Sequence, residues 1–357
     1  MSKKSGSSKT PKLWRLLAVL LALVLVAAAC GDDDDSSADD VSDDDMADDD
    51  TTDDDMTDDD MADDAHGDVT VAIVAPSAVD DVAFTQSMID AVAALGIEPE
   101  VTPGTFVIED AAAALRGYAE DGIDVIIAHG TQYGGSLEEI APDFPETTFI
   151  WGTATDTKGL PNVFAYAPAA DEGGYVNGVV AGLLSESGTI GVVGPVEAGD
   201  AVAYINGFEA GALASGATEV SIVYTGSFGD VALAAETATA HIANGADILT
   251  GSAQMVVGAV GVASGEGVPW FGTQANQTEL DPSIVVASQV YHWEVVLDDM
   301  LALRASGTLG GEAFVLTLEN GGLVVEFNDE FELDADTRAA ADAAIAGIID
   351  GSVSTGA

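Results

Sequence analysis

Residues 69–88 read VTVAIVAPSAVDDVAFTQSM. The β-branched, apolar run from Val69 to Val74 has the character of a strand buried on both faces, as strands of parallel sheets are. A short loop comes after it and then a helix, expected over 80–95. Phe84 falls in the first turn of that helix, beside a threonine and a glutamine, and two readings of it stand. With Asp80 as N-cap, Val79 and Phe84 form a hydrophobic staple that sets the entry angle of the chain. Alternatively, Phe84 faces a ligand from a βα loop, the place where open α/β sheets bind.

The same beat repeats on both sides of this unit. Strands are expected at 98–102, 123–128 (IDVIIA), 147–151 and 162–166, with helices at 109–121 and 135–142. A longer helix, 171–185, leads to a second copy with strands at 189–193, 219–224, 247–250, 268–271 and 284–287 and helices at 199–215, 230–243 and 253–264. The last part supplies a helix at 290–305, strands near 313–318 and 322–327, and a helix at 335–350. Alternating strands and helices make an α/β fold of two doubly wound, mostly parallel sheets in tandem. Two lobes are expected, one of 69–167 plus about 288–310, the other of 168–287 plus about 311–350. Two such sheets face each other across a cleft that closes by a hinge.

The first 68 residues belong to neither lobe. Lys3, Lys4, Lys9, Lys12 and Arg15 precede an apolar run from Leu16 to Ala29, which reads as the signal peptide of an exported protein, residues 1–30. The run ends in LVAAAC, similar to a bacterial lipobox, so Cys30 is the expected lipidation site and membrane anchor. Cys30 is also the only cysteine, which excludes an intrachain disulfide. Residues 31–68 repeat three aspartates and two spacers, with no apolar period, and are expected to form a disordered acidic tether. Fully stretched, such a segment reaches about 130 Å. Its aspartates lack the glycine and glutamate that an EF-hand loop requires, so calcium is not expected there.

Of the 62 acidic residues, 21 precede Val69, and the remaining 41 face four basic residues, Arg116, Lys158, Arg304 and Arg338. So acidic a surface argues against nucleic acid or anionic lipid as a partner. No catalytic signature is present: no G-x-S-x-G elbow, no H-E-x-x-H, no P-loop and no cysteine pair. The histidines at 66, 129, 241 and 292 are scattered through unrelated elements and read as satisfied or exposed residues. No enzyme activity, metal or cofactor is therefore expected.

Residues 219–235, EVSIVYTGSFGDVALAA, carry a resemblance. Strand, then YTGSFGD, then helix resembles the second lobe of the basic membrane lipoprotein family of ABC-importer substrate-binding proteins. DDVAFTQS at 80–87, FPETTFIWGT at 144–153, the stretch from Asn162 to Gly194 and VPWFGTQANQ at 268–277 come in that family's order. The resemblance implies a two-lobed type I periplasmic-binding fold and, between the lobes, a purine ring held by one aromatic from each, here Phe84 and Phe228. Thr85 and Thr153 stand where nucleoside receptors of the family carry asparagine and aspartate. Gln274 and Tyr291 match their ribose-binding aspartate and lysine. A branch resembling adenine receptors has threonine at both of the first two positions and a tyrosine matching Tyr133, so the resemblance implies a nucleobase before a nucleoside. Gln254 and Asn276 stand where that branch tends to have aspartates, and either present amide groups to a ring edge or are ordinary loop residues. Of the tryptophans, Trp151 is the one placed in the cleft.

The expectation is a monomeric, extracytoplasmic lipoprotein on the outer face of the cytoplasmic membrane. It binds a neutral aromatic solute and passes it to an ABC permease, without chemistry. A ligand-sensing receptor feeding a signalling partner and a sugar receptor of the same fold are the alternatives.

Overall fold

The computed structural model describes residues 69–356. The expected signal peptide, Cys30 and the acidic tether lie outside them. In the first lobe β1 (Val71–Val74), α1 (Phe84–Ala94), β2 (Glu100–Thr102), α2 (Ile108–Asp121), β3 (Val125–His129), α3 (Gly134–Ile140), β4 (Thr148–Gly152) and β5 (Val163–Pro168) succeed one another. Then α4 (Ala170–Leu184) opens the second copy: β6 (Thr189–Gly194), α5 (Gly199–Ser215), β7 (Glu219–Tyr224), α6 (Val231–Ala243), β8 (Ile248–Gly251), α7 (Val256–Glu266), β9 (Trp270–Gln274) and β10 (Val285–Tyr291). The remainder is α8 (Glu294–Ala305), β11 (Ala313–Leu316), β12 (Leu323–Phe327) and α9 (Ala335–Ile349).

The strands form two six-stranded sheets, ordered β2-β1-β3-β4-β5-β11 and β7-β6-β8-β9-β10-β12. Every pairing is parallel except β10 with β12. This is the expected α/β architecture of two doubly wound sheets. β1, β3, β4 and β8 are buried along their whole length, which is why they read as unbroken apolar runs. Helix ends obey local chemistry: Gly122 closes α2 in the left-handed region at φ 83°, and the Asp334 carboxylate accepts from the backbone N–H groups of Asp336 and Thr337 to start α9.

The chain's return differs from the expectation in two places. β10 continues to Tyr291, pairing Tyr291 with Leu323 of β12, so the helix expected from 290 begins at Glu294 and residues 288–291 belong to the second sheet. Ala313–Leu316, expected with the second lobe, adds to the edge of the first sheet beside β5. Its register is held along its length, with Gly311 N–H donating to the Val163 carbonyl, Ala165 N–H to that of Glu312 and Ala169 N–H to that of Leu316. α8 packs on α1 and α9 on α4, so the chain passes between the sheets after β5, after β10 and after β11.

The helices α4 and α5 pack with backbones in contact. A Cβ on Gly178 of α4 would lie 2.1 Å from the Phe208 carbonyl oxygen, and one on Gly211 of α5 would lie 2.1 Å from that of Tyr175. Glycines 174, 178 and 182 are four residues apart, one ridge of a helix, which fits ridge-into-groove packing with the ridge removed. The pair fixes where the N-terminus of α5, at the cleft, sits relative to the crossing from β5.

Candidate functional site

In the loop after β1, the Asp81 carboxylate organises the start of α1. Its Oδ1 accepts from the N–H groups of Ala83 (3.0 Å) and Gln86 (3.1 Å), and its Oδ2 from Thr85 N–H (3.0 Å) and Ser77 Oγ (2.6 Å). Asp81, not Asp80, therefore caps this helix, and α1 starts at Phe84 instead of residue 80. Val82 is held at φ 50°, a strained conformation for a β-branched residue. Val79 is 47% exposed, so it makes no staple with Phe84. The staple reading is corrected: Phe84 is placed by the side chains packed behind it.

One face of the Phe84 ring stacks on His129 at the end of β3, with centroids 3.8 Å apart and planes 14° apart. His129 Nε2 lies 2.8 Å from the Phe84 carbonyl oxygen, which accepts only, so the proton is on Nε2 and Nδ1 accepts from the Tyr166 hydroxyl. Burial pushes the imidazole pKa down to about 3, which keeps the ring neutral. Trp293, fully buried where the chain crosses from β10 to α8, meets Phe84, His129 and Tyr166 edge-on and donates from Nε1 to Ser87 Oγ at 2.9 Å.

The second lobe offers four groups to the facing side. Phe228 stands in the loop after β7, which Ser227 Oγ braces by accepting from the N–H groups of Gly229 and Asp230. Gln254 comes after β8 and Gln274 ends β9, and Ala253 and Gln274 are held at φ 71° and 76°. Among the described residues the other non-glycine positions with positive φ are Val82, in the loop before α1, and Lys158, in a surface turn, so three of the four lie in strand-to-helix connections, where backbone strain is commonly stored for function. Asp200 lies in the first turn of α5. Burial raises its carboxyl pKa, opposed by hydrogen bonds from the Gln274 amide and the Tyr291 hydroxyl, the latter at 3.2 Å.

These groups enclose a cavity of about 270 Å³, just below the range of roughly 300–1,000 Å³ typical of small-molecule sites. Phe84, Thr153, Phe228, Gln254 and Gln274, all anticipated from sequence, line it. The lobes touch around it: Gln254 Nε2 donates to Ser77 Oγ at 2.9 Å, and a Cβ on Gly229 would lie 3.7 Å from the Phe106 ring. Gly199, at φ 61°, starts α5 beside the Thr131 and Thr153 hydroxyls.

Four anticipated residues stand elsewhere, as does Tyr291, which falls where the family's nucleoside receptors have a lysine. Thr85 is fully buried against Ser77, with hydroxyls 2.6 Å apart. Tyr133 is fully buried, its hydroxyl 2.8 Å from Thr105 Oγ1 and donating to the Thr105 carbonyl. Trp151 packs against the backbone of Gly134 and donates to the Gly130 carbonyl, outside the cavity lining. Asn276 is exposed and donates to Glu326 at 2.6 Å. Tyr291 is buried and reaches the cavity only through Asp200.

Sequence reading missed Phe106, Gln132 and Asp200. Each lies beyond the carboxyl end of a strand, β2, β3 and β6 respectively, which is the signal that could have found them. Asp200 adds a carboxyl group to a lining whose other polar side chains are hydroxyls and amides. Among the described residues no cluster of His, Cys, Asp or Glu has the arrangement of a metal site.

Residues 68–348 match the Bmp family, described as ABC transporter substrate-binding protein PnrA-like. A purine-binding protein of Brucella abortus is 27% identical over 229 residues, 63% of each chain. A protein of Haloferax volcanii assigned as an ABC transporter glucose-binding protein is 26% identical over 218 residues, 59% of this chain and 54% of that one. The match thus spans less than two thirds of either relative. A solved ABC-transporter solute-binding protein from Conexibacter woesei superposes with a TM-score of 0.67 at 24% identity, covering 80% of this chain and 98% of that one, and shares the fold. Structural neighbours and sheet topology agree on the type I periplasmic-binding fold. By the extent of the family match, the chain belongs to the Bmp family of PnrA-like ABC transporter substrate-binding proteins.

Proposed function

We propose that the protein captures a neutral, planar nitrogen heterocycle, a purine base in preference to a nucleoside, between Phe84 and Phe228. Solute-binding proteins of ABC importers work outside the cytoplasm and pass their ligand to a membrane permease. In this reading Cys30 anchors a monomer to the outer face of the cytoplasmic membrane and residues 31–68 tether the lobes to it.

One observation carries the ligand assignment: the cavity draws an aromatic side chain from each lobe, with Phe106 as a third, and no lysine or arginine is among its lining residues. Each stacked aromatic pair contributes about 0.5–1.5 kcal/mol beyond area burial, and a flat ring can use two faces at once. The purine-binding relative supports the same class. Without a guanidinium fork in the lining, phosphorylated solutes are disfavoured.

A sugar is the second reading, favoured by Asp200 in the lining and by the Haloferax relative. Calorimetric titration of the full chain with adenine, guanine, hypoxanthine, adenosine, guanosine, ribose and glucose separates the two. Saturable binding of a base with no heat from ribose or glucose is expected; binding of a sugar with no response to any base would replace the purine reading by the sugar one.

A further inference from the structure

The cleft end of the two lobes carries exposed apolar side chains on both sides of the seam. Phe106, Val107 and Ile108 are consecutive, in the connection from β2 to α2 and its first turn, and all three are exposed, Val107 the most at 53%. Val79, between β1 and α1, is exposed at the same end of the first lobe, and Val231, the first residue of α6, at the cleft end of the second. The two sets approach where Phe106 rests near Gly229, which shortly precedes Val231. Single exposed apolar residues are ordinary, but a run of them with a counterpart across a seam marks a contact surface.

Charge narrows what covers this strip. An exposed carboxylate adjoins each apolar group: Asp80 after Val79, Glu109 and Asp110 after Ile108, and Asp230 before Val231. Such a rim is repelled by an anionic lipid surface. A second copy seated on the same strip would bring one acidic rim against another. The complementary surface is a protein face with apolar groups at its centre and lysine or arginine around them.

The course of the chain adds an independent constraint. All strands of the first sheet are parallel, so the cleft lies at one end of that lobe and the amino ends of the strands at the other. Val69 lies just ahead of β1, so the preceding segment joins the lobe at the end away from the strip. A short connection to an anchor at Cys30 would point the strip away from the membrane. A compact body of this size is about 50 Å across, whereas residues 31–68 reach about 130 Å at full stretch. That length lets the lobes turn over and bring the strip down onto a protein in the same membrane.

We infer that the strip centred on Val107, Ile108 and Val231 is the surface that docks on the membrane-spanning subunit of the importer's permease, at a face of apolar side chains ringed by basic ones. This rests on the anchored-importer reading above and is independent of which solute the cleft takes.

The test uses the full chain in its native cells, with a photo-crosslinking phenylalanine analogue in place of Val107, Val231 or Leu213. Leu213 is exposed near the C-terminus of α5, whose N-terminus is at the cleft, and serves as the control. Irradiation is expected to join the chain to the permease's membrane-spanning subunit from positions 107 and 231 and not from 213, with the product identified by peptide mass spectrometry. Adding Ile108→Lys beside the probe at 107 sets positive charge against a basic face and should lower the yield by about tenfold or more. Thermal melts confirm that each variant is folded, and Phe106 is left unchanged because it lines the cavity. Products from 107 and 231 with lipid or with a second copy in place of the permease overturn the inference, as does permease product of equal yield from 213, or none from either strip position. Crosslinking to the permease by a protein that binds no base would remove the purine assignment alone, and binding of a base without permease product from the strip would remove the docking surface alone.

Discussion

Phe84 and Phe228 come from different places in the two lobes, Phe84 after β1 and Phe228 after β7, the counterpart of β2, and they differ in what stands behind them. Phe84 is 7% exposed, stacked on His129 and edge-on to Trp293, so it belongs to the core as well as to the cavity. Phe228 is a half-buried loop residue. Phe228→Ala should therefore reduce solute affinity by about tenfold or more with a melting temperature close to that of the unmodified protein, whereas Phe84→Ala should also cost about 3–5 kcal/mol of stability. Paired calorimetric titrations and denaturant melts read both; loss of stability in Phe228→Ala equal to that in Phe84→Ala would contradict the assignment. His129 supplies a pH signature. Its folded pKa is near 3 against an ordinary 6.5, so below pH 6.5 the unfolded chain takes up a proton that the native state refuses. Stability contributed by the neutral ring is complete above 6.5 and falls by roughly 1.4 kcal/mol per pH unit down to about 3. His129→Gln should flatten that part of the pH–stability curve, measured as urea midpoints between about pH 7 and pH 4. The sequence made Phe84, Phe228 and three polar lining residues legible because the family pattern names loop positions. It could not show that Tyr133 and Trp151 face away, since their direction depends on Thr105 and Gly134, which close on them only in three dimensions.

Strands and helices were the most legible level, because parallel strands buried on both sides leave short apolar runs rich in β-branched residues, bounded by turns. The starts of α1 and α8 were misplaced for physical reasons. Asp81 accepts the first-turn N–H groups from outside the helix, and the pairing of β10 with β12 carries strand geometry through Tyr291. Contact between α4 and α5 was written as glycines in the sequence yet unreadable as contact, because a glycine in a helix signals equally a break, a close approach or nothing. The distances decide. Gly178→Ala puts a methyl group 2.1 Å from a backbone oxygen that cannot move alone, and should cost about 1–3 kcal/mol or more. Gly117→Ala in α2, where a Cβ meets nothing within 4 Å, should instead stabilise by about 0.5–1 kcal/mol. Opposite signs for two Gly→Ala changes in chemical denaturation are the check.

Across the whole chain the charge balance is lopsided in a way that pairing cannot relieve. All four basic residues after Val69 are already beside a carboxylate: Arg116 with Asp143, Lys158 with Glu138, Arg304 with Asp124 and Arg338 with Asp342. Most of the other acidic side chains face solvent and one another, and salt should stabilise the fold by screening them. Raising salt from about 0.05 M to about 1 M is expected to lift the melting temperature, by about 2–4 °C for each kcal/mol of repulsion removed; a flat or falling trend would show that the repulsion is negligible. Two lobes were foreseeable from the doubled strand–helix beat, but the destination of Ala313–Leu316 was not, since an edge strand can pair with either sheet and only its ladder with Ala165–Pro168 in three dimensions settles it. The hydrogen bond from Gln254 to Ser77 carries a consequence in time. It spans the cleft beside the cavity, with Phe106 resting near Gly229 on the same seam, so a captured solute leaves no faster than that seam parts. In that reading a stronger rim both lengthens the time a molecule is carried and, by favouring the closed state, tightens its capture, while the rings within decide which molecule is taken.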